Sequence, residues 1–191
     1  MKICVDPGHG GKDPGAVDHG VQEDDLNLAV ALAFGAELKP FLEGLGFQVL
    51  LTRTADVALA ADPNADLRAR SDAANKWGAD ACLSIHCNAS GTADPRHTAQ
   101  GIETYAMPGG RGEALARHIH RYTVALSGAK DRGVRTDRNF AMLRRTIMPA
   151  VLLELGYMTN AGEVVLLQKP LYRARLQLGI VAGLLAWAPG R

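Results

Sequence analysis

Apolar residues along this chain form short runs of strand length that alternate with stretches of helical periodicity. The strand-like runs, several of them rich in Val, Ile or Leu, lie at 2–6, 47–52, 80–87, 101–106, 140–144 and 150–156. Apolar spacings of three and four predict helices over 24–45, 66–77, 111–127 and 170–187. Pro40 should kink or interrupt the first helix, because proline supplies no amide hydrogen to it.

This alternation predicts an α/β fold with a twisted, mixed or mostly parallel sheet and helices on both of its faces. In such sheets the chemistry gathers at the ends of the strands. The chain has 191 residues, which is within the usual range of one domain. We therefore expect a single domain over residues 1–191.

Composition and charge exclude several classes of function. No apolar stretch approaches the roughly 18 residues that a bilayer crossing requires, so we expect no membrane insertion. The formal net charge of +1 provides no field that would steer the chain onto nucleic acid. Cys4, Cys82 and Cys87 lie in apolar runs without the paired spacing of a thiolate zinc site. They are predicted to be buried free thiols.

A constrained loop follows the first strand. Its sequence, Asp6-Pro7-Gly8-His9-Gly10-Gly11-Lys12-Asp13-Pro14-Gly15, surrounds one histidine with four glycines and two prolines. The spacing matches neither a dinucleotide fingerprint nor a P-loop, and no helix follows at once, so phosphate binding is not favoured. The functional interpretation of His9 is a metal ligand.

Three further ionisable residues occupy unusual places. His86 lies near the end of a central apolar run, where a single histidine is more often a hydrogen-bonded core residue. Glu154 interrupts the apolar run 150–156, where an ionised carboxylate is costly unless a charge partner or a metal-bound group is near. Glu23 opens the first predicted helix, and its alternative role is to stabilise the helix N-terminus electrostatically.

Two histidines and one carboxylate make the usual open zinc site, and a second carboxylate then serves as base. This interpretation assigns one zinc ion to His9, Glu23 and His86. Glu154 would accept the proton of the attacking water and could pass it to the leaving nitrogen of an amide.

Four segments together resemble the zinc-dependent N-acetylmuramoyl-L-alanine amidases, a family that includes bacterial cell-separation amidases and phage endolysins. The segments are residues 5–16, Glu23 with 25–29, Ser84-Ile85-His86-Cys87-Asn88-Ala89, and residues 148–160. Weaker support comes from Leu50-Leu51-Thr52-Arg53 and from Arg70. By similarity, His9, Glu23 and His86 take the zinc-ligand positions and Glu154 takes that of the catalytic glutamate.

The resemblance implies a twisted, mainly six-stranded sheet flanked by helices. It also implies a peptidoglycan hydrolase that cleaves the amide joining the lactyl group of N-acetylmuramic acid to L-alanine of the stem peptide. Departures from the family pattern are small: Asp24 stands where lysine or serine is commoner, and Cys87 where alanine is commoner. Strand alternation should turn Cys87 away from the side that His86 faces.

The remaining polar candidates are weaker. Asn88 projects to the same side as His86 if the strand continues, so it is either a substrate-binding residue or a loop cap. His19 is the best spare ligand, and His97 lies in the predicted surface loop 88–100. His118 and His120 diverge on a helix and are predicted to be surface residues.

Several alternatives stay open at this point. A zinc peptidase acting within the stem peptide would use the same metal and base, and a wall-binding module could keep the fold without the chemistry. We expect a monomer, synthesised in the cytoplasm without a signal peptide, that acts on the bacterial cell wall as a phage lysin or as the catalytic domain of an exported enzyme. The compact interval between His86 and Glu154 predicts a site that no added helix blocks.

Overall fold

The computed structural model describes residues 1–91 and 98–188. Its main sheet contains β1 (Lys2–Pro7), β4 (Gln48–Leu51), β5 (Ala81–Asn88), β6 (Ile102–Ala106), β7 (Asp131–Thr136) and β8 (Ala150–Tyr157). The strand order is β4-β1-β5-β8-β6-β7, and a small antiparallel ribbon pairs β2 (Val17–Asp18) with β3 (Val21–Gln22). Neighbouring strands of the main sheet are parallel except β6 and β8, which are antiparallel. The predicted mixed, six-stranded α/β sheet is confirmed.

The helices cover both faces of the sheet. They are α1 (Glu23–Gly35), α2 (Lys39–Gly44), α3 (Pro63–Trp77), α4 (Arg111–Ser127), α5 (Ala141–Arg145), α6 (Ala161–Gln168) and α7 (Pro170–Trp187). None of these helices combines the length and the apolarity that a membrane crossing needs. Asp62 caps α3 by accepting a hydrogen bond from the Ala65 amide, and α3 ends at Gly78 in the left-handed conformation.

Two predicted elements differ from the structure, and one strand of the main sheet was missed. The helix expected over 24–45 is interrupted, as predicted from Pro40, but the break precedes the proline: α1 ends at Gly35 and α2 begins at Lys39. Pro40 therefore lies in the first turn of α2, where its missing amide costs nothing. The run 140–144, predicted as a strand, forms the short helix α5, because so short an apolar run fits either structure. Strand β7 was not predicted: it is a polar edge strand, whose residues are exposed or half-buried.

Side chains of the central strands alternate between two cores. Ile3, Val5, Leu83, Ile85 and Leu153 pack in the larger core with α1, α4 and α7. Cys4, Cys82 and Leu152 pack in the smaller core with α3 and α5. Cys87 belongs to the larger core, which confirms that it points away from His86, and all three cysteines are buried and free.

Candidate metal centre

His9 lies in a loop that leaves the carboxyl end of β1 with an unusual backbone. The φ angle of His9 is 61°, and Gly10 and Gly11 follow at 126° and 67°, in the region that favours glycine. Gly8 has no room for a side chain, since a Cβ there would lie 2.2 Å from Cε1 of His86. The glycines of this loop therefore let it pack directly against the second histidine.

Three side chains from separate segments converge beyond the strands. His9, Glu23 and His86 each offer a ligand atom, and these atoms lie within 4.8 Å of one another. Oε2 of Glu23 is 3.3 Å from Nε2 of His9, and Oε1 is 3.0 Å from Nδ1 of His86. Ligands that share one zinc ion at bond lengths near 2 Å stand about 3.3 Å apart in tetrahedral geometry, so this spacing fits such an ion.

Neighbouring groups orient two of the candidate ligands. Oδ2 of Asp13 is 2.8 Å from Nδ1 of His9, which leaves Nε2 of the ring to face Glu23. The Glu23 carboxylate accepts hydrogen bonds from the Ala16 amide at 3.0 Å and the Cys87 amide at 3.1 Å. Glu23 is also the first residue of α1, as the sequence predicts.

The charges of the cluster depend on one another. Burial would raise the pKa of Glu23, but hydrogen bonds and charge from His86 and His9 hold that pKa well below its usual range. Burial likewise opposes charge on His9, yet Glu23 and then Asp13 raise the pKa of His9 to about 9. Two imidazole rings thus lie against an ionised carboxylate in this site. Metal ions would compete with protons for these three groups.

Glu154 lies beside this cluster in β8. Its Cα pairs in register with that of His86 in β5 and with that of Glu103 in β6. Oε2 of Glu154 is buried without a hydrogen-bond partner among the described residues. Burial raises the pKa of Glu154 to about 7, with Glu23 and Glu103 adding to the rise against the charge of His86. A carboxylate with such a pKa suits proton transfer near neutrality.

Glu103 is a site neighbour that sequence reasoning missed. Its Oε2 accepts hydrogen bonds from Asn88 Nδ2 at 3.1 Å and from the Tyr105 hydroxyl at 2.9 Å, while Arg132 Nε donates to Oε1 at 2.8 Å. The signal was available, since Glu103 interrupts the apolar run 101–106 as Glu154 interrupts its own. The two neighbouring buried carboxylates therefore differ in their hydrogen bonding. Glu103 accepts from several donors, whereas Oε2 of Glu154 has no partner among the described residues.

Asn88 ends β5 at the edge of the site. Its Nδ2 donates to Glu103, its Oδ1 accepts from the Ala89 amide at 2.8 Å, and the residue lines the same cavity as Glu154. The bond to Ala89 matches the loop-cap alternative. A contact between Asn88 and substrate stays a prediction.

Two cavities of about 240 and 400 Å³ meet at the cluster. His9, His86, Leu67 and Met142 line both of them. The larger cavity is also lined by Glu23, Asn88 and Glu154, and α5 forms part of its wall. The side chains of His9 and His86 are partly exposed, at 25% and 18%. No helix among the described residues between His86 and Glu154 therefore seals the site.

The other histidines lie away from the cluster. His19 Nε2 is 3.3 Å from the Thr159 carbonyl oxygen, and His19 is not part of the metal-ligand group. The surface prediction is wrong for His120, which is buried between Thr104 and Asp131, because this face of α4 packs on the sheet. His97 and part of the predicted loop 88–100 lie outside the described residues.

Comparison with known proteins agrees with this geometry. A model of the N-acetylmuramoyl-L-alanine amidase family matches residues 3–186. The chain is 37% identical over 186 residues to the sporulation-specific N-acetylmuramoyl-L-alanine amidase of Bacillus subtilis, covering 96% of this chain and 67% of that protein. It is 39% identical over 186 residues to the amidase CwlM of Bacillus licheniformis, with the same two coverages of 96% and 67%.

Solved structures show the same similarity. An N-acetylmuramoyl-L-alanine amidase from Clostridium difficile 630 superposes with a TM-score of 0.88 at 32% identity, covering 99% of this chain and 98% of that one. The catalytic domain of the amidase CwlV from Bacillus (Paenibacillus) polymyxa gives a TM-score of 0.84 at 35% identity, with 97% of both chains covered. Because these matches run through β1, α1, β5 and β8, which carry the candidate centre, the chain belongs to the N-acetylmuramoyl-L-alanine amidase family.

Proposed function

We propose that this chain cleaves the amide between the lactyl group of N-acetylmuramic acid and L-alanine of the stem peptide. One zinc ion would be held by His9, Glu23 and His86, with Glu154 as the general base. Glu154 provides the observation that carries the proposal: its Oε2 is buried without a hydrogen-bond partner among the described residues, and the residue lines one cavity together with all three candidate ligands.

The donor set supports zinc as the metal. Two imidazole nitrogens and one carboxylate oxygen are typical of catalytic zinc sites in hydrolases, where a position is left open for water or substrate. Bound zinc would supply a Lewis acid that polarises the amide carbonyl and makes water acidic near neutral pH. The hydrogen bond between Asp13 and His9 supports the same assignment, because ligating histidines commonly pair their other nitrogen with a carboxylate.

Glu154 performs the proton transfers in this proposal. Its carboxylate accepts a proton from the water that attacks the carbonyl carbon, and it then delivers that proton to the alanine nitrogen as the carbon–nitrogen bond breaks. The products are a lactyl carboxylate and a stem peptide with a free L-alanine amino group. A pKa near 7 supports both steps, because the group can take up and release a proton near neutrality.

The two cavities suggest how the substrate lies. The scissile bond would sit where they meet, beside His9 and His86. Because Glu154 protonates the leaving nitrogen and lines only the larger cavity, the peptide would occupy that cavity, and the muramoyl side would lie toward the smaller one. Asn88, on the wall of the larger cavity, would then contact the peptide.

We also propose that residues 1–191 act as one catalytic domain and as a monomer on the cell wall. The continuous six-stranded sheet supports a single domain. Size-exclusion chromatography with light scattering tests the monomer directly, and a dimer mass would contradict it.

Glu154→Gln tests the general-base assignment. The amide keeps the shape of the side chain but cannot accept the proton, so we expect hydrolysis of purified peptidoglycan to fall by about 100-fold or more. Zinc content measured on the same sample should stay at one ion per chain, because Glu154 is not a ligand. Activity within a few-fold of wild type, with zinc retained, would contradict the assignment.

A further inference from the structure

Arg53 is a buried arginine, and within the described part of the chain all its side-chain hydrogen bonds go to backbone carbonyl oxygens. Only 3% of the residue is exposed. Nε donates to Pro7 O at 3.1 Å and Nη1 to Ala55 O at 3.1 Å. Nη2 donates to Gly8 O at 3.0 Å and to Asp24 O at 2.9 Å. The side chain therefore gathers carbonyl groups from three separate stretches of backbone.

This position is electrostatically costly. In residues 1–91 and 98–188, no carboxylate oxygen lies within 4.0 Å of the Arg53 guanidinium nitrogens. Burial and the nearby charge of Arg70 lower the pKa of Arg53, although more distant carboxylates partly compensate. Burying a cation without a close counter-ion costs free energy, so a contribution to fold stability does not by itself explain why Arg53 is buried. The backbone segments to which Arg53 donates hydrogen bonds explain its position better.

The groups that Arg53 holds belong to the metal centre. Gly8 directly precedes His9, and Asp24 directly follows Glu23. A single nitrogen, Nη2, thus joins the segments that carry two of the three candidate ligands. Since the two segments come from different elements, this pair of bonds fixes the backbone of one ligand relative to that of the other.

The loop around His9 needs such support. A left-handed φ at a non-glycine residue persists only where its surroundings hold it in place, and His9 has a φ of 61°. The loop is also shaped to admit the arginine, because a Cβ on Gly10 would lie 2.9 Å from Nε of Arg53. Loop and guanidinium are therefore packed as one unit.

We propose that Arg53 is a positioning residue of the metal centre, whose planar guanidinium sets the separation of the His9 and Glu23 segments. The proposal rests on the proposed function, in that the three residues bind zinc. Lysine would keep the charge but could not replace the planar fork, because a single ammonium cannot donate hydrogen bonds to all four of these carbonyl oxygens.

Arg53→Lys tests this proposal, and Thr52→Val is its matched control. Thr52 directly precedes Arg53, and its hydroxyl donates to Oδ1 of buried Asp6 at 2.6 Å. Removing this hydroxyl perturbs the same region but leaves the hydrogen bonds to the carbonyl oxygens beside His9 and Glu23 in place. Zinc affinity is measured by competition with a chromophoric chelator. The cobalt-substituted proteins are compared by visible absorption, and urea unfolding of both variants measures the general loss of stability.

We expect Arg53→Lys to weaken zinc binding by about 10- to 100-fold and to change the cobalt spectrum, as loss of a group that orients ligands does. Thr52→Val should keep wild-type zinc affinity and the wild-type cobalt spectrum. If Arg53→Lys does not fold, the neutral Arg53→Gln replaces it with the same expectation, since it too lacks the fork.

Wild-type affinity and an unchanged cobalt spectrum in the arginine variant would overturn the positioning role and leave the proposed function intact. An equal loss of affinity in Thr52→Val would also overturn it, because the effect would then follow general destabilisation. Failure of the wild-type chain itself to bind zinc would overturn both proposals.

Discussion

The pKa values of two carboxylates in one cavity are shifted in opposite directions by their surroundings. Glu23 accepts hydrogen bonds from backbone amides and lies against two histidines, which favour its ionised form. Glu154 is buried with an oxygen that has no partner among the described residues, which favours its protonated form. Such a division is what the proposed roles require, with Glu23 as a permanently charged ligand and Glu154 as the group that exchanges protons.

Replacement of Glu154 by glutamine should stabilise the metal-free protein at alkaline pH. The pKa of Glu154 is raised from 4.5 to about 7, so the folded state binds its proton more tightly, and wild-type stability falls as the pH rises through this interval. The glutamine variant has no such loss of stability. Its free energy of unfolding should therefore exceed that of the wild type by about 3 kcal/mol at pH values above about 7. Urea unfolding at about pH 5 and about pH 8 measures it; a gain that does not change with pH would contradict the buried-acid account.

Asp13→Asn should weaken zinc binding by about 10-fold, because the neutral amide polarises the His9 ring less than the carboxylate at 2.8 Å does. The matched control is Asp18→Asn, which alters an aspartate near His19 and outside the metal-ligand group. Chelator competition measures both variants, and equal zinc affinities in the two would show that Asp13 does not tune the ligand.

At the scale of elements, the sequence predicts the strands and helices that bury strong apolar patterns. The strands that carry His86 and Glu154 are such runs, and Glu23 begins α1 as expected. The polar edge strand β7 carries no such pattern, because its residues are exposed or half-buried. Glu103 could have been noticed as a carboxylate that interrupts an apolar run, but its hydrogen-bond partners could not be predicted from hydrophobic periodicity. The contacts of Arg53 likewise join segments that are distant in sequence.

The packing of α7 on α4 depends on two glycines of α7. A Cβ on Gly183 would lie 2.4 Å from Cα of Ile119, and a Cβ on Gly179 would lie 2.5 Å from Cα of Thr123. The two helices therefore meet with their backbones in close approach, and neither backbone can yield without moving the helix.

Gly183→Ala should lower the free energy of unfolding by about 2 kcal/mol, although alanine favours the helix by about 1 kcal/mol over glycine. Gly44→Ala, in α2, is the control, since a Cβ there meets no atom within 4 Å and should not destabilise the protein. Urea unfolding of both variants tests the contact, and similar stabilities would contradict the close approach of the helices.

The topology of the whole molecule brings the centre together. β1, β5 and β8 are neighbouring parallel strands, so the residues at their carboxyl ends reach one edge of the sheet. His9 follows the first of these strands, while His86 and Glu154 lie in the other two. The helix after β1 adds Glu23, so the centre joins parts of the chain that are far apart in sequence.

Zinc should therefore stabilise the whole fold. A ligand that binds only the folded state adds about 2.7 kcal/mol when it is present at about 100 times its dissociation constant. We expect thermal unfolding to shift upward with zinc and back with chelator. The shift should be absent in His86→Ala and retained in His118→Ala, which changes a helix histidine that contacts the Ala114 carbonyl. The same shift in both variants would place the zinc elsewhere.

The products released from purified peptidoglycan distinguish amidase activity from the alternatives. With wild-type protein we expect new L-alanine amino termini and new lactyl carboxylates. Both should disappear after chelation, return with zinc, and be absent with Glu154→Gln. New termini inside the stem peptide would instead identify a zinc peptidase, and binding to the wall without any new termini would contradict the catalytic assignment of Glu154.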